Sequence, residues 1–413
     1  MYRYRQDRGD NNEVLAVRRH RPDYWLVILP TLLTAIGLIV VFAISPALST
    51  QKNVGENYYV YRQLIAVALS AIFFIVIANM KYSFWRLLEK PLIITALVAA
   101  VAVRILGEQV NGAYRWIQIG GLSFQAAELI KFALLFWLAN YLATRIKTKT
   151  LNENGVLTPV LYAIALIGVI VAYVQSDFGS AVVMVSMIAF MLFVAHVPYK
   201  MMALFIIIFI TGGLLLISTS SYRRQRLQTF FQPARDCQNE GYQTCQALIA
   251  VGSGGVFGLG LAKSVQAYGY LPEAANDSIF AIYAEKFGFV GTTILLLIML
   301  AYFSRIKNVL ERTPDDYSRL LVAGIFAWFA VQSFINIGAM VGLLPLKGIT
   351  LPFISYGGTS LIFVSAAAAL VFNISHYTAL SERLTESRGS AGYENIPSGR
   401  RERRPHYAAS GRS

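Results

Sequence analysis

About ten apolar stretches long enough, or nearly long enough, to cross a bilayer constrain this chain more than any other feature. They run at about 24–48, 63–79, 91–103, 124–143, 156–174, 178–197, 201–221, 278–303, 320–344 and 356–374. Lipid offers no partner to a bare backbone group, so such runs must be helical, and roughly 20 residues are needed to span. Hydrophobic residues make up 56% and charged residues only 14% of the 413, which places the chain among all-α polytopic membrane proteins rather than soluble domains. The third stretch is cut short by Arg104.

Charge placement orients the spans. With both termini cytoplasmic, most of the 36 Lys and Arg fall on inside segments, as the positive-inside bias requires. The net charge of +14 is thus a topology signal, and nucleic-acid binding is excluded because the basic residues are dispersed among short loops. The first apolar run is too long for the core of a secretory signal and reads as a retained helix. Residues 1–22 and 378–413 are rich in Arg, Gly, Ser and Asn without apolar periodicity, and read as disordered cytoplasmic tails flanking a membrane domain over 23–377.

Between the seventh and eighth spans, residues 222–277 form an unusually long extracytoplasmic loop, and a loop of that length is a candidate functional element. It opens on Arg223 and Arg224, carries the glycine-rich run from Gly252 to Gly260, and ends at Asp277. The glycine-rich run is too short to span and is expected to dip into the outer membrane half. No strand precedes it and no Lys-Ser/Thr pair follows it, which argues against a nucleotide loop. Cys237 and Cys245 lie in the same loop. Two thiols on an oxidising face favour a disulfide over free cysteines. The four histidines are scattered, and no His/Cys spacing suggests a metal site.

Glu128 and Lys131 stand inside the fourth apolar stretch, one helical turn apart. Charge at that depth costs roughly 2.5–3.5 kcal/mol per residue and is kept where it meets a partner or a cavity. Two readings follow: an ion pair that ties helices together, or an active site within the membrane.

Four stretches together resemble one family. They are Asn111-Gly-Ala-Tyr-Arg-Trp-Ile117 with Gln125-Ala-Ala-Glu-Leu-Ile-Lys131; Gln175-Ser-Asp-Phe-Gly-Ser180; Leu271-Pro-Glu-Ala-Ala-Asn-Asp277 with Glu285-Lys-Phe-Gly288; and the run from Gly342 through Pro345, Lys347, Pro352 and Ser355 to Gly358. In order and spacing they resemble the SEDS family of cell-wall polymerases, RodA, FtsW and SpoVE, and the wording around Lys347 and Tyr270 resembles the division branch more than the elongation branch. Tyr114, Ala126, Ala127, Asn276 and Ser278 depart from the usual family residues.

The resemblance implies a ten-helix peptidoglycan glycosyltransferase of the bacterial inner membrane. It would polymerise lipid II into polyprenyl-linked glycan, beside a class B penicillin-binding transpeptidase and other division membrane proteins, at the septum. By motif, Asp277 matches the family's essential aspartate, Glu128 and Lys131 its intramembrane pair, and Arg115 with Trp116 its Arg-Trp motif. No organic cofactor is implied, and a divalent cation is left open. The chemistry asks for a base at the acceptor hydroxyl and positive charge at the departing pyrophosphate. Asp277 suits the base, with helix capping as its alternative; Lys131 suits the task of holding it ionised. Arg115, Arg223 and Arg224 suit the pyrophosphate, or serve as interfacial anchors. Glu285 either extends the polar site or pairs with a neighbour, and Asp177 is expected to cap a helix or brace a loop rather than react. Pro345, Pro352, Gly357 and Gly358 predict a tight loop in which Ser355 is not a nucleophile. An elongation polymerase, a precursor flippase or other transporter, and a scaffold remain rival functions.

Overall fold

The computed structural model describes residues 22–378 apart from 81, 111–112, 120–121, 154, 176, 219–223, 225–229, 232–236 and 240. Among these residues there are eleven α-helices: α1 (Trp25–Gln51), α2 (Tyr58–Asn79), α3 (Glu89–Leu106), α4 (Ala126–Lys147), α5 (Leu157–Ile167, continued as a π-helix to Val174), α6 (Phe178–Val194), α7 (Tyr199–Ser218), α8 (Tyr242–Ser253), α9 (Ile279–Arg312), α10 (Asp316–Met340) and α11 (Gly358–Ser375). Six of them, α1, α2, α4, α9, α10 and α11, are long and apolar enough to cross a membrane. Of the other four expected spans, α3 carries Glu89, Lys90 and Arg104 within its 18 residues, and the apolar runs Leu157–Val171, Phe178–Val194 and Tyr199–Leu215 in α5, α6 and α7 are of 10–17 residues.

The helices sort into an interior and an outer ring. α4, α10 and α11 are buried on most of their circumference, with α4 against α3, α6 and α10, and α11 against α2 and α1. Helices α2, α7 and α9 instead turn large apolar side chains outward, among them Ile75, Leu214 and Leu297. That outward apolar face suits lipid as the solvent, and the interior holds together by close packing and buried polar contacts.

A three-stranded antiparallel sheet departs from the all-α expectation: β1 (Glu108–Val110), β2 (Ala113–Ile119) and β3 (Leu122–Gln125), in that order. Trp116 pairs with Glu108 on one side and Gln125 on the other, and Ile117 with Phe124. The dipeptides between the strands, Asn111-Gly112 and Gly120-Gly121, are of the kind two-residue hairpins favour. The sheet feeds directly into α4 and so delivers the Arg115-Trp116 motif to the start of the helix that carries Glu128 and Lys131.

The glycine-rich run closes a break in α9. At Gly288 the helix adopts φ 64° and ψ −163°, which interrupts its own ladder. Segment 255–260 takes up the released groups: Leu259 N donates to Glu285 O (2.9 Å), Gly260 N to Lys286 O (3.0 Å), Phe289 N to Gly255 O (2.9 Å) and Val290 N to Val256 O (3.0 Å). A Cβ at Gly258 would collide with the carbonyl of Lys286, and one at Gly288 with the backbone of Gly258. Non-helical backbone is thus satisfied by protein, the condition for tolerating it at membrane depth. Gly288→Ala would force an alanine into a region that glycine alone occupies readily, at a cost of about 1–3 kcal/mol before any clash. We expect a lowered thermal midpoint in detergent, and a midpoint equal to wild type would contradict this account of the break.

Cys237 and Cys245 are joined in a disulfide, with Cα atoms 5.6 Å apart, as their placement in one oxidising loop favoured. The bridge ties the approach to α8 onto its first turn, and closing such a loop is worth about 2–3 kcal/mol. Protein from intact cells should resist a membrane-impermeant thiol reagent until reduced. Labelling of both cysteines without reductant would exclude the bridge.

Candidate active site

The segment from Leu271 to Ser278 is fixed before α9 begins, mainly by backbone contacts. Three successive carbonyls, those of Ala275, Asn276 and Asp277, accept respectively from Tyr356 N (2.8 Å), Ser355 Oγ (2.6 Å) and Asn336 Nδ2 (2.7 Å). Ser278 Oγ donates to Pro272 O (2.9 Å) and accepts from Gln243 Nε2 of α8 (3.2 Å), which draws the disulfide-closed loop onto the same segment. The residue in the cap position of α9 is Ser278, whose side chain makes no capping hydrogen bond. Asp277 stands one residue ahead of that position.

Glu128 and Lys131 form the expected pair, Nζ to Oε1 2.8 Å, and both side chains are almost wholly excluded from the surface. Lys131 Nζ also donates to Gln332 Oε1 (3.1 Å) and stands 4.7 Å from the centre of the Trp328 ring. The ammonium is thus held by a carboxylate, an amide and an aromatic face, a set that offsets the loss of water. Gln332 Nε2 passes the connection to Thr350 O (2.9 Å), Thr350 Oγ1 lies 3.2 Å from Ser360 Oγ, and Ser360 Oγ reaches Glu128 Oε1 at 3.5 Å. The pair therefore sits in a ring of polar groups supplied by α4, α10, α11 and the loop over 341–357.

Asp177 caps α6 as anticipated, accepting from Ser180 N (3.0 Å) and Ser180 Oγ (2.7 Å), and it also accepts from Gln125 Nε2 (3.1 Å). Gln125 N in turn donates to Thr359 Oγ1 (3.2 Å) at the start of α11. Ser355 accepts from Leu351 N (2.7 Å) while its own proton goes to Asn276 O, so its hydroxyl braces the loop. The predicted irregular loop is indeed present between α10 and α11, with Leu351, Phe353 and Ile354 buried in the core.

The remaining sequence candidates are placed unevenly. Glu285 spends its carboxylate on the loop before Asp277, accepting from Ser264 Oγ (2.5 Å), Val265 N (2.7 Å) and Gln266 N (3.1 Å). It pairs with a neighbouring segment, the second of its two expected roles. Trp116 is half-buried on β2, Arg115 precedes it on the same strand, and Arg224 is exposed. Arg223 lies outside the described residues. Gln332, Asn336, Thr350 and Ser360 were not singled out in the sequence. The available signal was the spacing of Gln332 and Asn336, two amides one turn apart in an otherwise apolar helix.

The broken helix, the buried pair and the anchored aspartate coincide with a match to the family described as cell cycle protein, FtsW/RodA/SpoVE, over residues 24–380. The chain belongs to this family. It is 35% identical over 366 residues to stage V sporulation protein E of Bacillus subtilis, covering 88% of this chain and 100% of that protein. It is 36% identical over 359 residues to the probable peptidoglycan glycosyltransferase FtsW of Saccharophagus degradans, covering 86% and 92%. The crystal structure of Thermus thermophilus rod shape determining protein RodA superposes with a TM-score of 0.62 at 26% identity, covering 86% of this chain and 96% of that one. A chain from a peptidoglycan synthase complex that coordinates polymerization and crosslinking gives a TM-score of 0.70 at 24% identity, covering 88% and 98%, and supports the fold. Like these FtsW/RodA/SpoVE relatives, the chain is a multi-pass membrane protein.

Proposed function

We propose that this protein is a peptidoglycan glycosyltransferase that extends glycan strands from lipid II, with Asp277 as the general base. The observation that carries the reading is the triple backbone anchor on Ala275, Asn276 and Asp277, which immobilises an aspartate where the long loop meets α9. A base must be held within hydrogen-bond reach of the proton it takes, so a rigid backbone contributes directly to rate. In the step, the acceptor sugar hydroxyl gives its proton to Asp277 as its oxygen bonds the anomeric carbon of the donor. The bond from that carbon to the pyrophosphate breaks, and polyprenyl pyrophosphate leaves with the electron pair. Arg115, Arg223 and Arg224 supply positive charge for that leaving group, and the buried Glu128–Lys131 pair supports the site through the polar groups around it.

With ten spans and both termini cytoplasmic, as the charge pattern of the sequence suggests, this site would face outward. Relatives named FtsW and the wording around Lys347 support work at the division septum, with a class B penicillin-binding transpeptidase as partner. A transporter is the second reading, favoured by the discontinuous α9, a device of many carriers. Incubating the purified protein with lipid II, alone and with such a transpeptidase, separates the two. Glycan polymer supports the polymerase, and lipid II movement across liposomes without polymer supports the carrier.

A further inference from the structure

Two amides on one face of α10 reach both halves of the site. Gln332 and Asn336 are one turn apart and buried, with 1% and 2% of their surface exposed. Gln332 Oε1 accepts from Lys131 Nζ and, at 2.7 Å, from Trp328 Nε1, while its Nε2 donates to Thr350 O. Asn336 Nδ2 donates to Asp277 O (2.7 Å) and to Ile349 O (2.6 Å). Ile349 and Thr350 are consecutive, so a single stretch of loop is gripped by both amides. One of those amides also holds the buried ammonium, and the other holds the backbone of Asp277.

The carbonyls of Asp277, Ile349 and Thr350 belong to non-helical backbone that lipid would leave bare, and the two amides supply donors that apolar packing cannot. The Asn336 amide is moreover only half used: its Oδ1 is buried with no hydrogen-bond partner among the described residues. An unsatisfied buried acceptor lowers stability, so the donor side must bring something that packing does not. The amide orientation follows from the partners, since the opposite flip would set an oxygen against two carbonyl oxygens.

On the reading of Asp277 as the base, we propose that Gln332 and Asn336 are positioning residues that fix the Asp277 backbone and the Glu128–Lys131 pair in one register through Ile349–Thr350. Neither touches the reacting atoms. They act on rate by limiting how far Asp277 and its supporting charge drift apart, and leave substrate binding largely alone.

The test is steady-state polymerisation of lipid II by the full chain with its transpeptidase partner, scaled to the amount of folded protein. Asn336→Leu should lower kcat by about tenfold or more with KM within about twofold, because small misplacement of a catalytic group is costly to rate. Gln332→Leu should act in the same direction. Asn336→Asp adds a readout that a packing role would not move. Its carboxyl donates one hydrogen bond when protonated and none when ionised, so its rate relative to wild type should rise as the pH is lowered from about 8.5 to about 6. The Asn336→Leu ratio should stay flat. A folded Asn336→Leu with kcat within about twofold of wild type would overturn the assignment. If that variant fails to fold, a pH-independent Asn336→Asp ratio would overturn it. Absence of polymer from wild type would instead overturn the functional reading beneath it.

Discussion

Asp277→Asn is expected to abolish polymerisation of lipid II while leaving the protein folded and inserted. The amide preserves the size of the side chain, and the groups that anchor the segment, Tyr356 N, Ser355 Oγ and Asn336 Nδ2, all bind backbone carbonyls that the substitution leaves in place. Shape and position should therefore survive while basicity is lost. General-base catalysis contributes about 10²–10⁴-fold, so the loss should reach at least that range in kcat, with little change in thermal midpoint. The helix-cap alternative foresees a different result, in which rate and stability are both spared, because asparagine caps a helix about as well as aspartate. Near-normal polymer from Asp277→Asn would remove Asp277 from the mechanism.

What could be read in the sequence was whatever local chemistry made conspicuous. Glu128 and Lys131 stood out because ionised side chains are costly in an apolar run, and their pairing follows from three-residue spacing on a helix. Asp177 ahead of Phe178-Gly-Ser180 was legible as a cap for the same local reason. The strands were less so. In residues 108–125 the Arg-Trp motif is the conspicuous feature, although Asn111-Gly112 and Gly120-Gly121 bracket alternating residues in the manner of hairpins. The break at Gly288 had no local signal, because a glycine in an apolar helix is common in membranes, and it is the contact with Gly258 that requires it. Gln332 was invisible for a related reason. Its partner Lys131 is 201 residues away, and an uncharged amide does not advertise itself as an ion pair does.

Lys131→Ala should cost activity and stability together, and the coupling distinguishes it from Asp277→Asn. Removing the ammonium leaves the Glu128 carboxylate buried without its counter-charge, Gln332 Oε1 without one of its two donors, and a space beside the Trp328 ring. Breaking a buried pair from one side costs about 3–5 kcal/mol, most of it the uncompensated charge. The double substitution Lys131→Met with Glu128→Gln removes both charges, and should recover much of that stability because no bare charge remains. It should not recover activity if the pair supports Asp277 through Gln332 and Thr350. Thermal midpoints in detergent, read beside polymerisation rates per folded molecule, decide between the roles. If the doubly neutral protein regains both stability and rate, the pair does no more than neutralise its own charges within α4. Regained stability with a rate still depressed assigns the charge to the chemistry, and full activity with unchanged melting in Lys131→Ala alone would rule out both roles.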